Sequence, residues 1–337
     1  MGGRALIGLT ETRRYAKDEF LVLCNKIEEK LRKETKRYEL VPWIRSKESF
    51  GDLDILAVST AGIDNRKIIE KVFAPKALIH NGGVFSFNVE ELQVDLICVK
   101  EEDFETALAY FSHNDAGNLL GRVAKDRWDL KLGHQGLSYP VRINDNTHLI
   151  KEVPISKNPE RIWEFCGYNF ENFKKGFETL HEMFWYICGS EFFNRESYDY
   201  AALNHKNRTR NRKRENYRKF LEFLEENKDK LKAAPQRTEE EKKELMFKRC
   251  TQYFPEAKVK EITKELTEKA KAHQEARTKI LEAVKDLNLS QKEVGEAMSK
   301  YRKDCGTNEE FSDKTLKLTN SEIKERFKKV NIVDKEY

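Results

Sequence analysis

Along the first hundred residues the hydrophobic pattern switches repeatedly between the period of a helix and the period of a strand. Over residues 17–36, Phe20, Leu21, Leu23, Cys24, Ile27 and Leu31 recur at three- and four-residue spacings, the one-sided stripe of an amphipathic helix. Residues 38–41 read as a short strand, and Pro42 can open a helical turn. In residues 52–59 (DLDILAVS) acidic and apolar positions alternate before the run turns fully apolar, as in a central strand covered on both faces. A short helix suits residues 65–73. Residues 76–80, 84–88 and 92–99 give three more strands, the first two joined by Asn81-Gly82-Gly83 as a hairpin.

From Glu101 the period becomes helical, with one apolar face on Phe104, Leu108 and Phe111 and another on Leu119, Leu120 and Val123. Pro140 and residues 144–146 mark loops. Residues 159–195 are rich in aromatics, among them Trp163, Phe165, Phe173 and Phe184, which suggests a second helical core in which most rings pack together. After Phe220 the chain reads as long charged helix, interrupted at Pro235-Gln236. Residues 258–287 form another polar helix, and residues 287–302 a small amphipathic one entered through Ser290. No internal repeat marks a solenoid. The pattern predicts an α+β fold followed by an all-helical C-terminal region.

Composition narrows the setting. A chain of 337 residues has room for two or three cores, and charged residues (36%) nearly equal hydrophobic ones (39%). No apolar run is long enough to span a bilayer. The opening MGGRALIGLTETRR lacks a cleavage signal, and Leu6 stands where an acylation signal has Ser or Thr, so neither secretion nor membrane attachment is expected. Six scattered cysteines without a CxxC pair argue against zinc or a disulfide framework and fit a reducing compartment, cytoplasmic or nuclear. A net charge of +5 says little by itself; the clustering of charge matters more.

The candidate chemistry sits on strands. Asp52 and Asp54 are two apart, so both side chains emerge on one face. Asp95 lies in a second strand, and pairing of the two strands would gather three carboxylates. Such a set suits hard divalent cations, which activate hydroxyls and neutralise phosphates. Taken alone, Gly51-Asp52-Leu53-Asp54 is a weak signal, since solvated acidic pairs are common at strand ends. No rival site emerges: the seven histidines show no HxH or HxxxH spacing, Cys98 reads as a buried strand residue, and no Walker-type loop is present. His113 reads as a surface histidine, with a functional role as the alternative.

The surroundings sharpen this. Residues 43–58 (WIRSKESFGDLDILAV) resemble the stretch in family X DNA polymerases where Arg, Glu and Gly precede paired aspartates. Residues 93–139 resemble that family more closely, with a third aspartate, a helix ending in Tyr-Phe, then Asn and Arg on the next helix. The resemblance covers palm and thumb and implies a nucleotidyltransferase palm with a mixed β-sheet over residues 1–100 and a small thumb over 101–155. A helical domain with a basic segment (156–236) and a charged helical region (237–337) follow. It implies two Mg²⁺ ions, with Mn²⁺ as a substitute. Asp52 and Asp54 would bind both, and Asp95 the one that activates the primer hydroxyl. Arg45 and the Gly51 amide would face the triphosphate, Tyr110 and Phe111 the incoming sugar, and Asp115 the base. Asn118 and Arg122 would reach the nascent pair and the template. Four apart, they share a helix face; read without the resemblance, they are an ordinary capping Asn and a solvated Arg.

There are departures from the family pattern. Val41-Pro42 stands where the family has a phosphate-binding Gly-Ser, and proline has no N–H to donate. Some triphosphate contacts must then be missing, or be supplied by Arg45, Ser46 or Lys47. Gln93 replaces a basic residue two before the third aspartate, and His113-Asn114 replaces a tight Gly-Ser turn. No helix-hairpin-helix lyase domain is expected, because palm-like sequence starts near Met1.

Residues 205–219 (HKNRTRNRKRENYRK) concentrate Lys206, Arg208, Arg210, Arg212, Lys213 and Arg214 against a single acid, Glu215. Beside a palm this density suits nucleic-acid phosphates; a solvated helix face or a localisation patch is the plainer reading. The expected activity is transfer from a (deoxy)nucleoside triphosphate to the 3′-hydroxyl of a DNA primer-template or gapped DNA, with no membrane partner. The alternatives are a nucleic-acid-binding protein with a catalytically weakened palm, or a nucleotidyltransferase acting on RNA.

Overall fold

The acid-then-apolar run at residues 52–59 becomes a central strand of a five-stranded mixed sheet, and its coverings explain the pattern. The computed structural model describes residues 5–34, 37–59, 64–143, 148–231, 235, 237–287 and 289–333. The chain begins β1 (Tyr15–Ala16), α1 (Lys17–Leu31), β2 (Tyr38–Leu40), β3 (Ser49–Phe50) and β4 (Asp52–Val58). It continues α2 (Asn65–Phe73), β5 (Leu78–Asn81), β6 (Val84–Val89), β7 (Leu92–Val99) and α3 (Phe104–Phe111). The sheet order is β2-β4-β7-β6-β5, with β4 and β7 parallel and the other neighbours antiparallel. The short β1 and β3 pair separately.

Each strand of the central pair is buried on both sides, which is why its second half is continuously apolar. Leu53, Ile55 and Ala57 of β4, with Leu92, Val94 and Leu96 of β7, pack against Phe20, Leu23, Ile27 and Leu31 of α1. On the other face Leu56, Ile97 and Val99 meet Phe104 and Ala107 of α3. The aspartates share the parity of this second face, so the layer under α3 gives way to charge toward the start of the strands. Leu21, read as part of the α1 stripe, instead faces solvent. The expected hairpin closes through Gly82-Gly83, where Gly82 takes φ 61°, a conformation glycine adopts without strain.

Next come α4 (Ala116–Trp128), β8 (Lys131–Gly133), β9 (Gly136–Ile143) and β10 (His148–Ser156), the last three forming a sheet of order β10-β9-β8. Pro140 was expected to mark a loop but lies within β9. It falls beyond the last rung shared with β8, Lys131 with Ser138, where that edge is open and proline is tolerated. The expected loop at 144–146, the end of the first helix at Lys36 and Gln236 lie outside the described residues.

The helices that follow are α5 (Pro159–Phe165), α6 (Phe170–Lys174), α7 (Leu180–Cys188), α8 (His205–Arg212), α9 (Glu215–Glu226) and α10 (Glu239–Tyr253). Their aromatics pack as expected: Trp163, Phe165, Phe173, Phe184, Tyr217 and Phe220 are buried. The chain then forms α11 (Val259–Val284), α12 (Gln291–Cys305), α13 (Asn308–Lys317) and α14 (Asn320–Val333). Two compact units result, residues 1–139 with 154–257, and residues 140–153 with 258–337. The second has its own core, Ile280 and Val284 of α11 against Tyr301, Phe311, Ile323 and Phe327. Ser290 caps α12 in a capping box with Glu293, where the sequence placed the helix start. No helix among the described residues is long and apolar enough to cross a membrane.

Candidate metal centre and its cleft

The register of β4 on β7 assembles the carboxylates. Asp54 lies directly beside Asp95, and Asp52 beside Gln93. Oxygens of Asp52, Asp54 and Asp95 fall within 4.8 Å of one another. They can hold a metal ion, because three hard oxygen donors converge where like charges would otherwise repel. Among the described residues no other three side chains of His, Cys, Asp or Glu converge in this way.

Gln93, a departure from the family pattern in the sequence, and Ser86, which the sequence did not single out, fix this arrangement. The buried Gln93 donates from Nε2 to both Asp95 oxygens at 3.0 Å, while its Oε1 accepts from the amides of Ala5 (2.8 Å) and Leu6 (3.3 Å). Ser86, opposite Asp95 on β6, bonds the same carboxylate. Burial raises the Asp95 pKa, nearby Asp52 adds to this, and the Ser86 and Gln93 bonds oppose it. Crowding by the surrounding protein, then Asp52 and Asp95, push the Asp54 carboxyl up to about 7, against the pull of Lys47. By surface area the Asp54 side chain is open to solvent, which tempers the push without changing its direction. Lys47 is shifted the other way: burial lowers its pKa, while Asp52 and Asp54 hold it up.

Asp52 and Asp54 open into a cleft of about 610 Å³ that also takes in Ser46, Lys47, Asn114, Asp115, Lys213, Arg214 and Lys219. A larger groove, about 1210 Å³, runs along α11 and α13 in the second unit. Among the described residues it gathers no comparable set of ligands, so the chemistry points to the smaller cleft.

The other expected site residues take varied positions. Gly51 is a buried bend just before β4. Arg45 does not line the cleft: its Nε donates to Glu178 at 2.8 Å and its Nη1 to the Lys175 carbonyl at 2.7 Å. Tyr110 and Phe111 end α3 with their rings edge to face, 5.5 Å apart, and Phe111 borders a small recess beside Asp52 and Asp54. Asp115 precedes α4 and pairs with Arg214. Arg122 donates from Nη2 to the Ser197 carbonyl at 2.6 Å, while its Nε and the Asn118 Nδ2 have no hydrogen-bond partner among the described residues. The basic segment divides. Lys206, Arg208, Arg210 and Arg212 lie on α8 outside the cleft lining, and Arg208 is tied to the Tyr200 and Leu203 carbonyls. Lys213 and Arg214 enter the cleft.

The departures in sequence acquire physical form here. The Val41 amide is spent on the Asp54 carbonyl (3.0 Å), and the Pro42 carbonyl accepts from the His113 amide (2.6 Å), which closes the turn at Val41-Pro42. His113 and Asn114 take the left-handed φ values of 58° and 63°. His113, read as a surface residue, is buried instead, because its Nε2 meets the Phe173 carbonyl at 3.1 Å between the rings of Phe173 and Phe177. Gly117, overlooked in the sequence, lets α4 start against α3: a Cβ there would overlap the Tyr110 carbonyl. Cys98 is a half-buried strand residue whose thiol is pushed up to about 11 by burial, which fits packing better than nucleophilic chemistry.

Comparison with protein-family models gives no match for this sequence, and comparison with curated proteins gives none.

Proposed function

We propose that this chain is a metal-dependent nucleotidyltransferase of the family X DNA polymerase type, joining a nucleoside triphosphate to a nucleic-acid 3′-hydroxyl. The observation that carries this reading is the meeting of Asp52, Asp54 and Asp95 on adjacent parallel strands at a cleft. The sequence resemblance over residues 43–139 supports it. Two Mg²⁺ ions, or Mn²⁺, held by Asp52 and Asp54 with Asp95 on one of them, would neutralise phosphate charge and acidify the attacking hydroxyl. The primer oxygen forms a bond to the α-phosphorus, the bond from that phosphorus to the bridging oxygen breaks, and pyrophosphate leaves. Asp95, oriented by Gln93 and Ser86, takes the hydroxyl proton. Tyr110 and Phe111 lie beside the sugar, Asp115 beside the base, and the free donors of Asn118 and Arg122 turn to the nascent pair. Lys206, Arg208, Arg210 and Arg212 contact phosphates of a primer-template or gapped DNA.

The test is primer extension with Mg²⁺ or Mn²⁺, DNA or RNA primers, and both sugar types. The wild type extends a primer, and Asp95→Asn, folded as judged by its melting curve, is slower by at least ~10²-fold. Equal rates remove Asp95 from the reaction. One observation favours a second reading, a nucleic-acid-binding protein with a weakened palm: the closed turn at Val41-Pro42 leaves no amide for phosphate. Nucleic-acid binding without incorporation under any of these conditions would establish that reading instead.

A further inference from the structure

The closed turn at Val41-Pro42 and the engaged Arg45 raise the question of what holds a triphosphate. The cleft itself supplies cations. Lys47 rises from the turn before β3, and Lys213, Arg214 and Lys219 come from the junction of α8 and α9. These residues are about 170 positions apart in sequence, yet they line the same cleft as Asp52 and Asp54. Lys213 is exposed and forms no ion pair among the described residues. Among the described residues Lys219 pairs with Glu215 alone, one turn away at 2.9 Å, a surface pair that an anion can displace. Arg214 bonds Asp115, and both residues line the cleft. α9 begins at Glu215 without a side-chain cap, and Asn216 of its first turn also lines the cleft.

We infer that these residues form the polyphosphate subsite: Lys47, Lys213, Arg214 and Lys219 hold the β- and γ-phosphates of the incoming nucleotide, in place of the turn at residues 41–42. The inference rests on the nucleotidyltransferase reading and assigns Lys213 and Arg214 to the nucleotide and not to the primer-template. The cleft volume, about 610 Å³, lies within the ~300–1,000 Å³ common for small-molecule sites. Cations there and carboxylates on the strands would divide the nucleotide between them. The phosphates that leave would lie on the cationic side, and the α-phosphate beside the aspartates.

The experiment is isothermal titration of the full chain in Mg²⁺ with three probes: dATP, inorganic tripolyphosphate and dAMP. The wild type and the double variant Lys213→Gln/Lys219→Gln are compared, with melting curves to show that both are folded. The double variant is expected to weaken dATP and tripolyphosphate about tenfold or more and dAMP by less than twofold. Its affinity for duplex DNA stays within twofold of wild type. Unchanged tripolyphosphate affinity would overturn the subsite. So would a loss confined to DNA, which would return these cations to nucleic-acid binding. The two proposals fail separately. If the wild type extends primers but the variant keeps its KM for dATP, only the subsite falls. If tripolyphosphate binds through these lysines but no primer is ever extended, only the transferase reading falls.

Discussion

The two sides of the cleft are built in contrasting ways. The carboxylates stand on neighbouring strands whose register is locked by apolar layers on both faces, and Asp95 is further fixed by Gln93 and Ser86. The cations stand on long side chains, Lys47 on the loop before β3 and Lys213, Arg214 and Lys219 at a helix junction, where Lys213 and Lys219 are exposed. Metal ligation demands short, directed contacts, so a sheet suits it; holding phosphate demands charge within reach, so a flexible side chain suffices. Rigidity is concentrated where geometry decides the chemistry.

The largest effect that would break this division concerns the cations outside the cleft. If α8 grips nucleic acid while the α8–α9 junction holds nucleotide, then Lys206→Gln/Arg210→Gln/Arg212→Gln should weaken duplex DNA by an order of magnitude or more. The slope of log affinity against log salt should flatten by ~0.9 for each phosphate that the helix no longer neutralises. Tripolyphosphate binding should stay put. Arg208 is left in place because it ties α8 to the Tyr200 and Leu203 carbonyls, so its removal would confuse grip with folding. Fluorescence anisotropy over a range of salt decides the matter: parallel slopes would make α8 a solvated face.

The same contrast explains what could be read from the sequence. The strands and the pairing of acids were legible because period-two alternation and the switch to a fully apolar run are local signals. Asn65–Phe73 and Leu92–Val99 form at the bounds read from sequence. Strands β8 to β10 were not legible, since residues 131–156 carry polar and proline interruptions that local pattern reads as loop. Nor was the cationic side, because Lys47 meets Lys213 and Lys219 only through the packing of helices far along the chain. Gln93 was visible as a departure from the family pattern, but its double hold on Asp95 and on the Ala5 and Leu6 amides depends on the fold. His113 was misjudged for a similar reason: what buries it is the segment at residues 173–177, sixty positions away.

A smaller effect sharpens the account of the rigid side. Gln93→Leu keeps the side-chain volume but removes both donors to Asp95, so the carboxylate loses its orientation while the strand remains. Turnover in primer extension should fall about tenfold, in the range typical when a residue supporting a metal ligand is removed. The Mg²⁺ concentration for half-maximal rate should rise with it, and the KM for dATP should move less than twofold. If KM rises and the Mg²⁺ dependence does not, Gln93 acts on the nucleotide and not through Asp95.

The smallest expected effect probes the charge that the rigid side stores without metal. Burial, with Asp52 and Asp95 nearby, pushes the Asp54 carboxyl of the folded protein up to about 7, above the ordinary carboxylate range of an unfolded chain. A group whose pKa is raised by folding gives its full contribution below the unfolded value and loses it as pH rises through the folded one. Metal-free stability should therefore fall between about pH 5 and pH 8, as Asp54 becomes charged beside Asp52 and Asp95. Other groups titrate in this window, so the informative quantity is the wild-type melting temperature minus that of Asp54→Asn. This difference should drop by a few degrees, since ~1 kcal/mol moves the midpoint of a domain this size by ~2–4 °C and solvent at Asp54 limits the push. Mg²⁺ should reverse the trend, raising the wild-type midpoint more at pH 8, above the pKa of about 7 at Asp54, than at pH 5. Asp54→Asn should respond weakly to Mg²⁺ at either pH. A wild-type curve that runs parallel to Asp54→Asn, with or without Mg²⁺, would show that the three carboxylates are independently solvated acids. The sheet would then hold no centre for the cations to complement.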